Sequence, residues 1–96
     1  MGIPELLAPK RAEILAVAQR HGVGQVRVFG SVARGEATVD SDVDFLVDVT
    51  GTTTPWFPAG LVQDLQDLLG RRVEVVTPNA LHWLLRPRIL KEAVPL

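Results

Sequence analysis

Phe29-Gly30-Ser31-Val32-Ala33-Arg34-Gly35, followed after a polar loop by Ser41-Asp42-Val43-Asp44-Phe45-Leu46-Val47, is the stretch that decides how this chain folds. Just upstream, Gln25 to Phe29 alternates polar and apolar residues, which predicts a strand ending at the Gly30-Ser31 turn. Val32 to Gly35 has room for one helical turn, with Ser31 as its cap. Glu36 to Ser41 is the polar loop. Val43 to Val49 predicts a second strand, unusual in being interrupted by aspartates. Side chains two residues apart on a strand leave the same face. Asp42 and Asp44 therefore stand side by side, and Val43, Phe45 and Val47 turn toward a core.

The flanking sequence completes a repeating pattern. Pro9 to His21 predicts a helix with Ile14, Leu15 and Ala18 on its apolar side, stopped by Gly22. Gly51 to Pro58 is a loop rich in Thr and Pro. Leu61, Val62, Leu65, Leu68 and Leu69 mark one face of a helix that Gly70 ends, with Gln63, Asp64, Gln66 and Asp67 on its wet side. Arg72 to Thr77 predicts a third strand, apolar except at Glu74 and buried on both faces. Pro78 and Asn79 open a last helical segment with Leu81, Leu84, Leu85 and Ile89 as its stripe, kinked or divided at Pro87. The order α-β-α-β-α-β-α predicts an α+β fold: a small mixed three-stranded sheet flanked by helices.

Bulk properties narrow the function. A chain of 96 residues supports one small domain, residues 1–96, and a hydrophobic fraction of 47% is enough for a core. Ten basic against eleven acidic residues argue against general nucleic-acid binding, which draws on a basic surplus. Cysteine is absent, which excludes disulfides, thiolate zinc sites and a thiol nucleophile, and two histidines are too few for a histidine-rich metal site. No stretch approaches the ~20 apolar residues of a membrane span. Met1 to Lys10 has no cationic lead and apolar block, so no signal peptide is expected and the expected location is cytoplasmic.

Two ionised carboxylates as close as Asp42 and Asp44 repel each other unless a cation neutralises them. Their hard oxygens suit Mg²⁺, which takes one or two carboxylates together with substrate phosphates, and Mn²⁺ accepts the same ligands. Taken alone, an Asp-x-Asp is as readily a solvated strand face. Next to it, however, backbone N–H groups at Gly30 and Ser31, the Ser31 hydroxyl and the Arg34 guanidinium can hold phosphate oxygens. A phosphate cradle beside a metal cradle is what phosphoryl and nucleotidyl transfer require. Glu74 would be costly to bury unpaired. Either Arg71 or Arg72 pairs with it, or it borders the site as a third carboxylate able to take the nucleophile's proton. Asp40 and Asp48 are read as solvated.

Gly30-Ser31, ten intervening residues and Asp42-Val43-Asp44 resemble the signature of the nucleotidyltransferase superfamily that includes DNA polymerase beta. The fuller Gly-Ser-x-Ala-Arg-Gly form and the short chain are similar to the minimal nucleotidyltransferases of prokaryotes. The resemblance implies the nucleotidyltransferase fold, ATP or another NTP as donor, and two Mg²⁺ ions. It implies Asp42, Asp44 and Glu74 as catalytic and metal-binding residues, and Gly30, Ser31 and Arg34 as nucleotide-binding ones. Family members commonly carry aspartate at the Glu74 position. The extra methylene moves the carboxylate by ~1.5 Å, which bears on rate and metal occupancy more than on fold.

Minimal members are often encoded beside a HEPN-type ribonuclease toxin, and the resemblance implies an antitoxin that transfers AMP from ATP to a tyrosine of that partner. The alternative is a binding module that neutralises its partner by contact alone. Transfer to a small molecule needs extra substrate-binding structure for which a chain this short has little room. Trp56-Phe57 and Trp83-Leu84-Leu85 either anchor a protein interface or complete a small core.

Overall fold

In the computed structural model, which describes residues 1–96, β1 (Val23–Phe29), β2 (Val43–Val49), β3 (Val73–Val76) and β4 (Val94–Pro95) form one mixed sheet. Their order is β3-β2-β1-β4; β2 and β3 run parallel, and the β1–β2 and β1–β4 pairs are antiparallel. The helices are α1 (Ile3–Leu6), α2 (Arg11–Arg20), α3 (Gly30–Ala33), α4 (Ala59–Leu69) and α5 (Arg86–Glu92). Short 3₁₀ turns occupy Ala8–Lys10 and Pro78–Ala80. No helix is long and apolar enough to cross a membrane.

One sheet face carries the core. Val26 and Val28 of β1, Val43, Phe45 and Val47 of β2, and Val73 and Val75 of β3 are buried in one cluster. Ile14, Val17 and Ala18 from α2 and Leu61 and Leu65 from α4 complete it. Burying a side chain such as Phe45 or Leu61 contributes roughly 1.5–3 kcal/mol, so these residues fix which face of β2 turns inward. Leu15, expected on the buried side of α2, is only partly covered, and Val17 takes the inner position. Gly70 ends α4 in the left-handed conformation (φ 68°), its N–H bonded to the Gln66 carbonyl at 2.8 Å.

The α+β class with a mixed sheet flanked by helices holds, and the strand count is corrected from three to four. β4 is two residues long and includes a proline, which falls below the length and alternation that mark a strand. β3 is buried on one face only, since Val73 and Val75 point inward and Glu74 is exposed. The final segment is not one helix. Pro87 lies in the first turn of α5, where its missing N–H has no intrahelical partner to lose. No residue of α5 is buried, and Leu84 and Leu85 are exposed, so that apolar stripe does not face the core. Helix α3 begins at Gly30, two residues earlier than expected, and has no side-chain cap, so Ser31 lies within it.

Candidate active site

The second sheet face carries the candidate chemistry. Phe29, Asp44 and Glu74 lie opposite one another across β1, β2 and β3. Phe29 and Leu46 are buried on this face outside the main cluster and give it an apolar floor. Asp42 comes just before β2, on the parity of Asp44. Asp44 on β2 and Glu74 on β3, with Asp42 just ahead of β2, therefore lie on the side away from the core.

Gly30 joins β1 to α3 with φ 73°, a conformation side chains other than glycine's rarely adopt. A Cβ there would also run into Asp44 Oδ2. The glycine thus lets the main chain lie directly against the aspartate. Arg34 follows α3 and donates from Nε to Glu36 at 2.8 Å.

Burial first, then the charges of Glu74 and Asp42, raise the Asp44 pKa from 3.8 to about 6, against the opposing pull of Arg34. The carboxyl thus keeps its proton to higher pH than an ordinary aspartate, though it is mostly ionised at neutral pH. Asp42 Oδ1 is enclosed and accepts no hydrogen bond; Arg72 Nε lies 3.1 Å away but out of line for one. A carboxylate oxygen with a cation beside it but no hydrogen bond, next to a carboxylate that resists ionisation, fits a site that takes a metal cation. No three of these side chains converge into a set that could hold a metal ion unaided.

Glu74 is paired with neither arginine. Arg71 Nη1 donates to the Thr38 and Ser41 carbonyls, each at 3.1 Å, pinning the loop before β2, and Arg72 leans on Asp42. Glu74 lies exposed opposite Asp44 across β2 and β3 instead. Asp48 is half-buried 3.6 Å from Arg27 Nη2, a cross-strand ion pair rather than the solvated acid expected. Asp40 is exposed. The residue that sequence reasoning missed is Glu92, at the end of α5. Its carboxylate accepts from Gly30 N–H at 2.9 Å and from Arg34 Nη1 at 2.6 Å. No local pattern signals a contact across 62 residues of chain.

Residues 12–96 match the nucleotidyltransferase domain family. The chain belongs to that family. It is 38% identical over 84 residues to MJ0435 of Methanocaldococcus jannaschii, provisionally named a protein adenylyltransferase, covering 88% of this chain and 90% of that one. It is 41% identical over 76 residues to the protein adenylyltransferase MntA of Thermococcus cleftensis, covering 79% and 77%. A solved structure provisionally described as a minimal nucleotidyltransferase superposes with a TM-score of 0.82 at 46% identity, covering 100% of this chain and 97% of the other. A chain of a toxin–antitoxin complex crystallised with AMP-PNP shares the fold, with a TM-score of 0.74 at 20% identity over 88% and 69% of the two chains. The nucleotidyltransferase fold expected from Gly30-Ser31 and Asp42-Val43-Asp44 is thereby shown. Trp56 and Trp83 of this nucleotidyltransferase are 67% and 71% exposed, so neither completes the core; only Phe57 packs against it.

Proposed function

We propose that this nucleotidyltransferase, working as a single domain over residues 1–96, transfers AMP from ATP to a protein hydroxyl, with a cytoplasmic HEPN-type toxin as acceptor. The observation that carries the reading is the Asp44 carboxylate, lifted toward neutrality between Asp42 and Glu74 and pressed against Gly30. Asp42 and Asp44, with Glu74 beside them, would hold Mg²⁺, as one or two ions, or Mn²⁺. A bound ion would neutralise charge on the phosphates as it develops. Gly30 N–H, the Ser31 hydroxyl and Arg34 bind and orient the triphosphate. The acceptor oxygen attacks the α-phosphorus, the α–β phosphoanhydride bond breaks and pyrophosphate leaves. Glu74, exposed at the rim, takes the acceptor's proton. Likeness to the adenylyltransferases of T. cleftensis and M. jannaschii supports AMP as the group moved and a protein as its destination.

The test is a transfer assay with labelled ATP, Mg²⁺ and the product of the neighbouring gene, set beside an Asp42→Asn/Asp44→Asn double variant. Label on the partner that disappears with the variant is the expected result. The exposed Trp56 and the Trp83-Leu84-Leu85 run favour a second reading, in which partner contact alone neutralises. A double variant that still neutralises the toxin fully, with no label from any of the four triphosphates in the native protein, would establish that reading instead.

A further inference from the structure

The two strongest donors assigned to the triphosphate are already engaged within the chain. Glu92 Oε2 accepts from Gly30 N–H at 2.9 Å, and its Oε1 accepts from Arg34 Nη1 at 2.6 Å. A carboxylate presents a pair of anionic oxygens to such donors much as a phosphate does. The engagement is specific. Burial works against ionisation of Glu92, yet the bonds from Arg34 and Gly30 prevail and hold its pKa below the ordinary glutamate value. Its side chain is 19% exposed, against 43% for Arg34, so the carboxylate sits beneath the guanidinium.

We propose that Glu92 is an internal stand-in for a nucleotide phosphate, which occupies Gly30 N–H and Arg34 in the free enzyme and is displaced when the triphosphate binds, making α5 an autoinhibitory latch. The inference rests on the reading of Gly30 and Arg34 as phosphate donors. Two like charges cannot share one pair of donors, so the phosphate and Glu92 compete.

The latch is built to open. Helix α5 has seven residues and none is buried. The two residues of β4 are both exposed, and that strand meets β1 only at Arg27–Pro95 and Val28–Val94. Leu96 N–H reaches the Val26 carbonyl at 3.0 Å, which tethers the end of the segment while α5 moves. Segments with few buried contacts open at little free energy. When Glu92 leaves, Arg34 keeps its Nε bond to Glu36 as an anchor, and Nη1 is freed for the phosphate.

A site filled by its own chain binds ligand more weakly in proportion to the time it is closed. Glu92→Gln keeps the size and removes the charge. It should tighten ATP and inorganic tripolyphosphate binding on the order of tenfold, the worth of one charge-assisted hydrogen bond, with Glu92→Ala at least as tight. Calorimetry on the full chain with Mg²⁺ measures this, with Arg34→Ala as the comparison. Native protein that binds ATP, with both Glu92 variants binding equally or more weakly, overturns the latch and leaves the phosphate site standing. No ATP binding by native protein or Glu92→Gln, or full affinity in Arg34→Ala, overturns the phosphate reading and the latch with it. Hydrogen exchange on the native protein is an independent check that needs no variant. Residues 86–92 should exchange faster with saturating ATP, and slower or unchanged exchange there overturns the proposal.

Discussion

Replacing Asp44 with asparagine should abolish transfer and make the metal-free protein more stable. In the fold this carboxylate is raised from 3.8 to about 6, by burial and by the neighbouring Glu74 and Asp42 charges. At about 1.4 kcal/mol per tenfold change in proton affinity, ionising it in the native state costs about 3 kcal/mol. The group is part-exposed, and solvent screening takes back roughly half. Asparagine keeps the shape and escapes the charge, so a gain of about 1.5 kcal/mol is expected at pH 7.5. For a domain of this size that corresponds to a rise in Tm of roughly 6–12 °C. The sign follows from linkage. The native state holds a proton that the unfolded chain releases near 3.8, so native stability falls as pH rises from about 4 to 6 and stays lower above that. The advantage of Asp44→Asn should therefore be full at pH 7.5 and shrink steadily from pH 6 toward pH 4. Mg²⁺ should raise the Tm of the native protein more than that of the variant. Thermal melts in EDTA at both pH values, then with Mg²⁺, measure all three effects. A variant no more stable at pH 7.5, or a difference indifferent to pH, would refute the account of Asp44 as a carboxylate held against its neighbours.

Gly30→Ala places a side chain at φ 73° and drives its Cβ toward Asp44 Oδ2, so urea denaturation should show a loss of more than about 1 kcal/mol, with nucleotide binding lost as well. A variant of native stability would show that the main chain does not lie against Asp44 as described. Glu74→Gln removes one of the charges that raise Asp44, so the Asp44 carboxyl resonance should titrate below about 6, with burial and Asp42 still holding it above 3.8. An unmoved midpoint would mean the two carboxylates are not coupled across β2 and β3.

Much of this arrangement was legible in the residues because it is local. The second strand, Val43 to Val49, was read to its ends, since Val43, Phe45 and Val47 set a period of two that only a strand satisfies. Leu61 and Leu65 marked α4 for the corresponding reason, and Gly70 its end. Gly30-Ser31 and Asp42-Val43-Asp44 were read as adjacent cradles, and the antiparallel pairing of β1 with β2 is what places Phe29 opposite Asp44. What escaped was set by distant pairing. Val94 and Pro95 become a strand only because β1 offers a free edge, and Glu92 reaches Gly30 only because that strand brings the chain back. Glu74 read as interior because three valines surround it. It faces outward because β3, unlike a strand sandwiched between helix layers, has α4 on one side only.

The shared register of β1, β2 and β3 has a consequence for how the chain finds its fold. Slipping β2 by one residue would turn the face that carries Asp44 and Asp48 toward the core and expose Phe45 and Val47 to water. Each ionised group forced inward would cost several kcal/mol, a large part of what holds a domain of this size together. The acids assigned to the candidate site therefore also act as an alignment key. Chains paired in the wrong frame are rejected during folding by the same charges, so a sheet that closes at all closes with Asp44 beside Glu74.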